Sequence, residues 1–254
     1  MIVPERVRSV LAARTRFGTL YEWSKLDSTN RWLLAAASHG APDGAVAVAD
    51  VQSAGRGRLQ RSWEAPAGTG LLLSVLLRPL NLPSDRRHLL TAAMGLAAQA
   101  ACVEAGGFRP DLKWPNDLEV TGAKLAGVLA QTQGPAVVVG IGCNVSWAPS
   151  GATSATACAG HPVERAALLE ALLLALDDFL SRPLGDLAAA YRAACATVGR
   201  EVRVETTDGV LEGWAEGLDD DGRLLVRPRV GTRLLAVAVG DVVHLRPAPR
   251  DHQD

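Results

Sequence analysis

The segment Gln52-Ser53-Ala54-Gly55-Arg56-Gly57-Arg58-Leu59-Gln60-Arg61-Ser62-Trp63 lies between two apolar runs, GAVAVADV at 44–51 and GLLLSVLLR at 70–78. Each run has the length and composition of a buried strand, so the segment is a connection between strands that places three arginines and two glycines together. Glycine lets backbone N–H groups come close to a ligand, and guanidinium forks match phosphate or carboxylate oxygens two at a time. A solvated basic turn is the plain alternative for such a loop taken alone. It is not a standard nucleotide loop: no G-x-x-x-x-G-K-[ST] occurs, and Gln60 stands where G-x-G-x-x-G needs its third glycine.

Working outward, residues 5–16 read as a short basic helix and 19–26 as an alternating strand. Ser28 or Thr29 can cap a helix over 30–39 that ends at Gly40. Downstream, 84–105 predict a long amphipathic helix, 124–132 and 136–145 two strands divided by Gly134-Pro135, and 162–181 with 184–196 a helix pair. From about residue 200, short alternating segments at 201–206, 210–216, 223–228, 232–238 and 241–246 are divided by Asp208-Gly209, Asp221-Gly222 and Gly231. These read as a small all-β barrel. The expected fold is therefore α/β (α+β), a mixed β-sheet flanked by helices at 1–197 and a small β domain with a frayed tail at 198–254.

Composition narrows the class. With 26 Lys+Arg against 27 Asp+Glu among 254 residues, no global field draws nucleic acid or an anionic membrane. No uninterrupted apolar run reaches the ~18–20 residues of a membrane span, and the N-terminus lacks a signal-peptide core, so a cytoplasmic location is expected. Cys102, Cys143, Cys158 and Cys195 have no C-x-x-C spacing, which suits reduced, mostly buried thiols. Neither a G-x-S-x-G elbow nor H-E-x-x-H is present. Basic residues are almost all arginine; the three lysines are Lys25, Lys113 and Lys124, and the asparagines are Asn30, Asn81, Asn116 and Asn144. A lysine kept in that background is a candidate for a role that a guanidinium cannot fill.

Two of those lysines and one asparagine fall in Lys113-Trp114-Pro115-Asn116-Asp117 and the following Gly122-Ala123-Lys124-Leu125-Ala126-Gly127-Val128-Leu129. This is dense polar chemistry between apolar strands, with Trp114 as an expected aromatic wall and Lys113 with Asp117 as a possible surface ion pair.

Taken in order, Asp27-Ser28-Thr29-Asn30, the Gly55-Arg56-Gly57-Arg58 loop with Arg61 and Trp63, Lys113 to Asp117, Gly122 to Leu129, and Val139-Gly140-Ile141-Gly142-Cys143-Asn144-Val145 resemble the biotin protein ligases. The resemblance covers roughly residues 20–148, and the β-rich C-terminus is similar in pattern to the SH3-like domain of such ligases. It implies an enzyme that takes ATP and biotin, forms biotinyl-5'-AMP, and transfers the biotinyl group to a lysine of a biotin carboxyl carrier protein or domain. Mg2+ is expected with ATP, without assigned ligands.

Carried over residue by residue, Lys124, Arg58 and Asp117 would be catalytic. Ser28, Thr29, Asn30, Gln52, Gly55, Arg56, Lys124 and Gly127 would bind biotin, and Arg56, Arg58, Arg61, Trp63, Lys113, Asn116, Lys124 and Asn144 would bind ATP or the adenylate. Asp117 is open between steering Lys113, holding magnesium through water and deprotonating the acceptor lysine. Two positions depart from the family pattern: Gln60 stands where a glycine is usual, and Gln131 where an acidic residue is common. About twenty residues before the core do not hold a helix-turn-helix, so no DNA partner and no membrane are expected. A monomer and a homodimer paired through strand edges near 136–145 both remain open. A lipoate or octanoate ligase, and a non-catalytic biotin- or nucleotide-binding module, are the alternatives.

Overall fold

The computed structural model describes residues 3–79, 82–83, 86–206, 209–238 and 240–244. Its first unit is a seven-stranded mixed sheet in the order β1-β2-β3-β7-β6-β5-β4, with β1 (Leu20–Trp23), β2 (Val46–Ala49), β3 (Gly70–Leu77), β4 (Asp111–Lys113), β5 (Asp117–Val120), β6 (Ala123–Gln133) and β7 (Ala136–Asn144). Only β1 and β2 run parallel; the other neighbours are antiparallel. The second unit is a five-stranded antiparallel sheet, β11-β10-β9-β8-β12, made of β8 (Glu201–Thr206), β9 (Gly209–Leu218), β10 (Leu224–Pro228), β11 (Leu235–Val237) and β12 (Asp241–His244). Among the described residues β11 and β12 do not pair, so the predicted small barrel is an open sheet there. The tail predicted to fray lies outside the described residues.

Strand alternation sorts the large sheet into two faces. Val137, Val139, Ile141 and Cys143 of β7 join Leu71, Leu73, Val75 and Leu77 of β3 in the main core, beneath α3 (Leu89–Gly106) and α5 (Arg165–Ser181). Ala136 and Val138 turn to the other face, where they pack with Leu76, Ala45, Ala47 and Leu33 of α2 (Thr29–Ser38). Helix α1 (Glu5–Arg14) lies against α5, and α4 (Ala155–Ala159) and α6 (Leu184–Ala194) complete the helical layer around α3.

Several expectations change. The long predicted helix begins at Leu89, part of 84–88 lying outside the described residues, and it is buried around most of its circumference rather than amphipathic. By length and composition α3 equals a membrane-crossing helix, but it is the core helix under the sheet. The β4–β5 hairpin and the one-turn helix α4 have no clear periodicity in sequence; each is too short to show one. Strand β7 sits between β3 and β6, so residues 136–144 offer no free edge for pairing with a second copy; the outer strands are β1 and β4. All four cysteines are free. Burial pushes the Cys102 thiol up to about 12 and raises Cys143 and Cys195 as well, which makes them poor thiolates.

The two units share one continuous core. Trp114, expected as a ligand wall, is instead buried at their junction, its indole N–H donating to Gly222 O at 3.0 Å. Its backbone N–H donates to Thr197 Oγ1 at 3.0 Å, and that hydroxyl lies 3.1 Å from His244 Nε2, which suits a neutral imidazole accepting at Nε2. Burial, then the charges of Lys113 and Arg200, lower His244 from 6.5 to about 4. A base whose folded value is depressed adds stability that is complete above about 6.5 and is lost as pH falls toward 4. Wild-type protein should therefore lose melting temperature across that window more steeply than His244→Gln. The difference should be about 2–4 °C, allowing for partial exposure of the ring, and differential scanning calorimetry at stepped pH measures it.

Candidate active site

A cavity of about 260 Å³ opens on the α2 side of the sheet, near the lower end of small-molecule sites (~300–1,000 Å³). Its floor is β7, where Gly140 and Gly142 carry no side chain. A Cβ at Gly140 would stand 2.1 Å from Asn30 Oδ1, and one at Gly142 would stand 2.4 Å from the Trp63 ring. Its walls come from the N-terminus of α2, the 52–64 loop, the β4–β5 turn and the start of β6.

Ser28 caps α2, its hydroxyl accepting from the Arg31 N–H. The next residues form a buried polar group. Thr29 N–H donates to Gln52 Oε1 at 2.6 Å, and Asn30 Nδ2 donates to Leu129 O at 3.1 Å and to Gln131 Oε1 at 2.9 Å. Gln131, noted in sequence as standing where acid is common, thus serves as an amide acceptor for Asn30.

The arginine loop folds back on itself. Trp63 N–H donates to Gly55 O, Gly57 N–H donates to Arg61 O, and Arg56 bridges to Ser62. Within it Leu59 takes a left-handed conformation (φ 52°), next to the Gln60 position where the family pattern has glycine; the Gln60 side chain lies outside the described residues. Arg56, Arg58, Arg61 and Trp63 line the cavity. Arg58 also reaches beyond it: Nη1 donates to Asn116 Oδ1 and Nη2 to Gly240 O, each at 3.2 Å, so the loop is tied to the β4–β5 turn and to the second unit. The Trp63 ring lies against Gly142, and its buried Nε1 has no acceptor among the described residues.

Lys124 and Asp117 face each other with Nζ 2.7 Å from Oδ1, and the Lys124 ammonium stands 5.8 Å from the Trp63 ring centroid. Gly127 makes this possible, since a Cβ there would come within 3.3 Å of Lys124 Cε and Nζ. Asn116 Nδ2 donates to Val128 O, and Asn144 Nδ2 to Thr153 O at 3.0 Å and Lys124 O at 3.4 Å. Both amide nitrogens thus brace the strands around Lys124.

Of the residues singled out in sequence, Ser28, Thr29, Asn30, Gln52, Arg56, Arg58, Arg61, Trp63, Asn116, Asp117, Lys124, Gly127 and Asn144 line the cavity together, and Gly55 and Lys113 do not. Gly55 is needed for loop closure: a Cβ there would lie 2.5 Å from Trp63 O. The Lys113 ammonium pairs with Glu119 at 2.7 Å and its charge acts on His244, so Asp117 does not steer it. Sequence reasoning quoted Gly140 and Gly142 in a motif without giving them a ligand role, and it passed over Ser74, which is buried behind the cavity, and the lining residues Glu64, Leu73, Pro149 and Ala152. Ser74 is a lone hydroxyl in an otherwise aliphatic strand, and that was the signal available for it.

The two floor glycines separate packing from ligand access. Gly140→Ala would meet Asn30 and Ser74, both buried and hydrogen-bonded, and should lower stability by about 1–3 kcal/mol in denaturant titration. Gly142→Ala meets Trp63 on the loop, which can lift, and should cost clearly less.

Comparison with known proteins agrees with this geometry. The model of the Biotin/lipoate A/B protein ligase family matches residues 24–146, and that of the Biotin protein ligase C terminal domain matches 197–245. The biotin--[acetyl-CoA-carboxylase] ligase of Mycobacterium tuberculosis is 40% identical over 244 residues, covering 88% of this chain and 90% of that protein. The bifunctional ligase/repressor BirA of Bacillus subtilis is 32% identical over 225 residues, covering 82% of this chain and 69% of that protein. Among solved structures, the biotin protein ligase from Aquifex aeolicus in complex with biotin and ATP superposes with a TM-score of 0.78 at 27% identity, covering 90% of this chain and all of that one. Sheet order, cavity and both matched regions together make this chain a member of the biotin protein ligase family.

Proposed function

We propose that this chain joins biotin to the ε-amino group of a lysine in a biotin carboxyl carrier domain, by way of biotinyl-5'-AMP, and that the cavity is where both steps occur. The observation that carries the reading is the convergence on one cavity of Lys124, the arginine loop and a buried amide-and-hydroxyl group. The first step is attack of the biotin carboxylate on the α-phosphate with loss of pyrophosphate; the second is attack of the acceptor amine on the mixed anhydride with loss of AMP. Each builds negative charge on oxygens, so fixed cations and N–H donors lower the barrier.

In this reading Lys124 stabilises the α-phosphate transition state. Its ammonium has three N–H donors, and the Asp117 carboxylate, 2.7 Å away as its ion-pair partner, holds it over the cavity. Arg56 and Arg61 hold phosphate or carboxylate oxygens, while Arg58 is presented by Asn116 and Gly240. Thr29 and Gln52 meet the ureido ring, Gly127 and Gly142 let ligand approach the strands, and Trp63 gives an aromatic wall with an N–H to donate. Residues 1–197 would be the ligase unit and 198–254 the unit that supports its loop. Mg2+ would enter with ATP and neutralise pyrophosphate. Among the described residues no cluster of three His, Cys, Asp or Glu could build a site for it, and of the two carboxylates that line the cavity, Asp117 and Glu64, Asp117 is engaged by Lys124.

Biotin-dependent exchange of labelled pyrophosphate into ATP isolates the first step. We expect exchange with biotin and not with lipoate, and a fall of about 100-fold or more in Lys124→Ala. Exchange with lipoate alone would overturn the substrate, and no exchange with either acid would overturn the enzymatic reading.

A further inference from the structure

Four cationic side chains line the cavity, Arg56, Arg58, Arg61 and Lys124, against two carboxylates, Asp117 and Glu64. Asp117 is committed to Lys124 at 2.7 Å. Glu64 is exposed, and among the described residues its carboxylate pairs with no cation. It directly follows Trp63, whose backbone N–H donates to Gly55 O at 3.0 Å and whose ring lies against Gly142 with its centroid 5.8 Å from the Lys124 ammonium. Consecutive Cα atoms are about 3.8 Å apart, so the stretch of loop that lays Trp63 on the floor also carries Glu64 at the mouth.

On the ligase reading, on which this inference rests, the reactants of the first step, ATP and the biotin carboxylate, are both anions. A bare carboxylate repels them. The second step brings the opposite charge, because a lysine side chain with an ordinary pKa of about 10.4 arrives as an ammonium. Three arginines beside a neutralised Lys124–Asp117 pair oppose its entry. A lysine has only a four-carbon stem, so its ammonium enters the cavity only when the acceptor main chain rests on the rim. The rim is where Glu64 stands, and its charge suits the acceptor and neither of the earlier reactants.

We propose that Glu64 is the acceptor-binding residue of the transfer step: its carboxylate receives the incoming lysine ammonium at the mouth and selects a cationic nucleophile. The ammonium then gives one proton to solvent, and its nitrogen bonds to the biotinyl carbonyl carbon. The bond from that carbon to the phosphate oxygen breaks, AMP leaves with the oxygen, and a second proton goes to solvent as the amide forms.

The test starts from preformed biotinyl-5'-AMP and compares transfer to a biotin carboxyl carrier domain with capture by hydroxylamine, a nucleophile that is uncharged in neutral buffer. Wild type, Glu64→Gln, Glu64→Lys and Glu64→Asp are measured at about 0.01 M and about 1 M salt. At low salt Glu64→Gln should lower kcat/KM for the carrier about fivefold and Glu64→Lys more than tenfold, while Glu64→Asp keeps most of it. High salt should shrink these losses to about twofold or less. Hydroxylamine capture should match wild type throughout, and the ATP KM in pyrophosphate exchange should stay level or fall. A structural defect in the loop would slow both nucleophiles alike and would not respond to salt in this way. Unchanged transfer in Glu64→Lys, equal loss with hydroxylamine, or a raised ATP KM that added Mg2+ restores would overturn the assignment of Glu64 while leaving the ligase reading intact; absence of biotin-dependent exchange in wild type would overturn both.

Discussion

Lys124 and Gly127 are three residues apart, a spacing that in a regular strand puts them on opposite faces of the sheet. Here they share a face, because a bulge between β5 and β6 shifts the pairing from Leu118 with Ala126 to Glu119 with Lys124. The extra residue, Leu125, goes into the core together with Ala126, and Lys124 swings onto the side that carries Asp117 and Gly127. The cavity depends on this shift. Without it the ammonium would face the opposite side of the sheet, away from Asp117, and the arginine loop would close over a site with no cation at its centre.

Around that lysine the structure combines two opposed requirements. The helix side of β7 is filled by Val137, Val139, Ile141 and Cys143, which gives rigidity through close packing. The cavity side is bare at Gly140 and Gly142, which gives space for Asn30 and Trp63 to come down onto the backbone. A strand that is aliphatic on one face and glycine on the other is a firm floor that side chains from other elements can approach closely. The price is paid in backbone freedom, and the well-paired central position of β7 between β3 and β6 offsets it.

The second unit acts on the site through two backbone carbonyls and through the His244 imidazole, which meets the Thr197 hydroxyl that holds Trp114. Gly222 O receives the Trp114 indole, and Gly240 O receives Arg58. Tyr191 of α6 donates from its hydroxyl to Pro115 O at 3.3 Å, so the turn that carries Asn116 and Asp117 is held from several directions. Carbonyl contacts of this kind tolerate sequence change in the supporting unit as long as its fold is kept, which fits a unit that sequence reveals by alternating strands and Asp-Gly turns more than by any motif.

Much of the fold was legible in sequence, because burial and strand alternation write themselves into residue order. Strands β2, β3, β6 and β7, helices α2, α5 and α6, and the five segments of the second sheet fall where periodicity and turn residues place them, within a few residues. Most of the cavity was legible too, since glycines, arginines and lysine stand out against an alanine- and leucine-rich background. What periodicity could not supply was the partner: Lys113 and Lys124 look alike in sequence, yet one pairs with Glu119 and the other with Asp117 over the ligand floor. Trp114 and Trp63 divide in the same way, one into the junction and one into the cavity wall. Ser74 gains its place only from partners on α2 and in the loop that begins at Gln52, tens of residues away. Sequence by itself determined the longer elements, their order and the family resemblance; tertiary structure decided the short β4–β5 hairpin and which partner each polar side chain meets, because a single bulge or a long-range strand register changes that choice without altering the local pattern that sequence records.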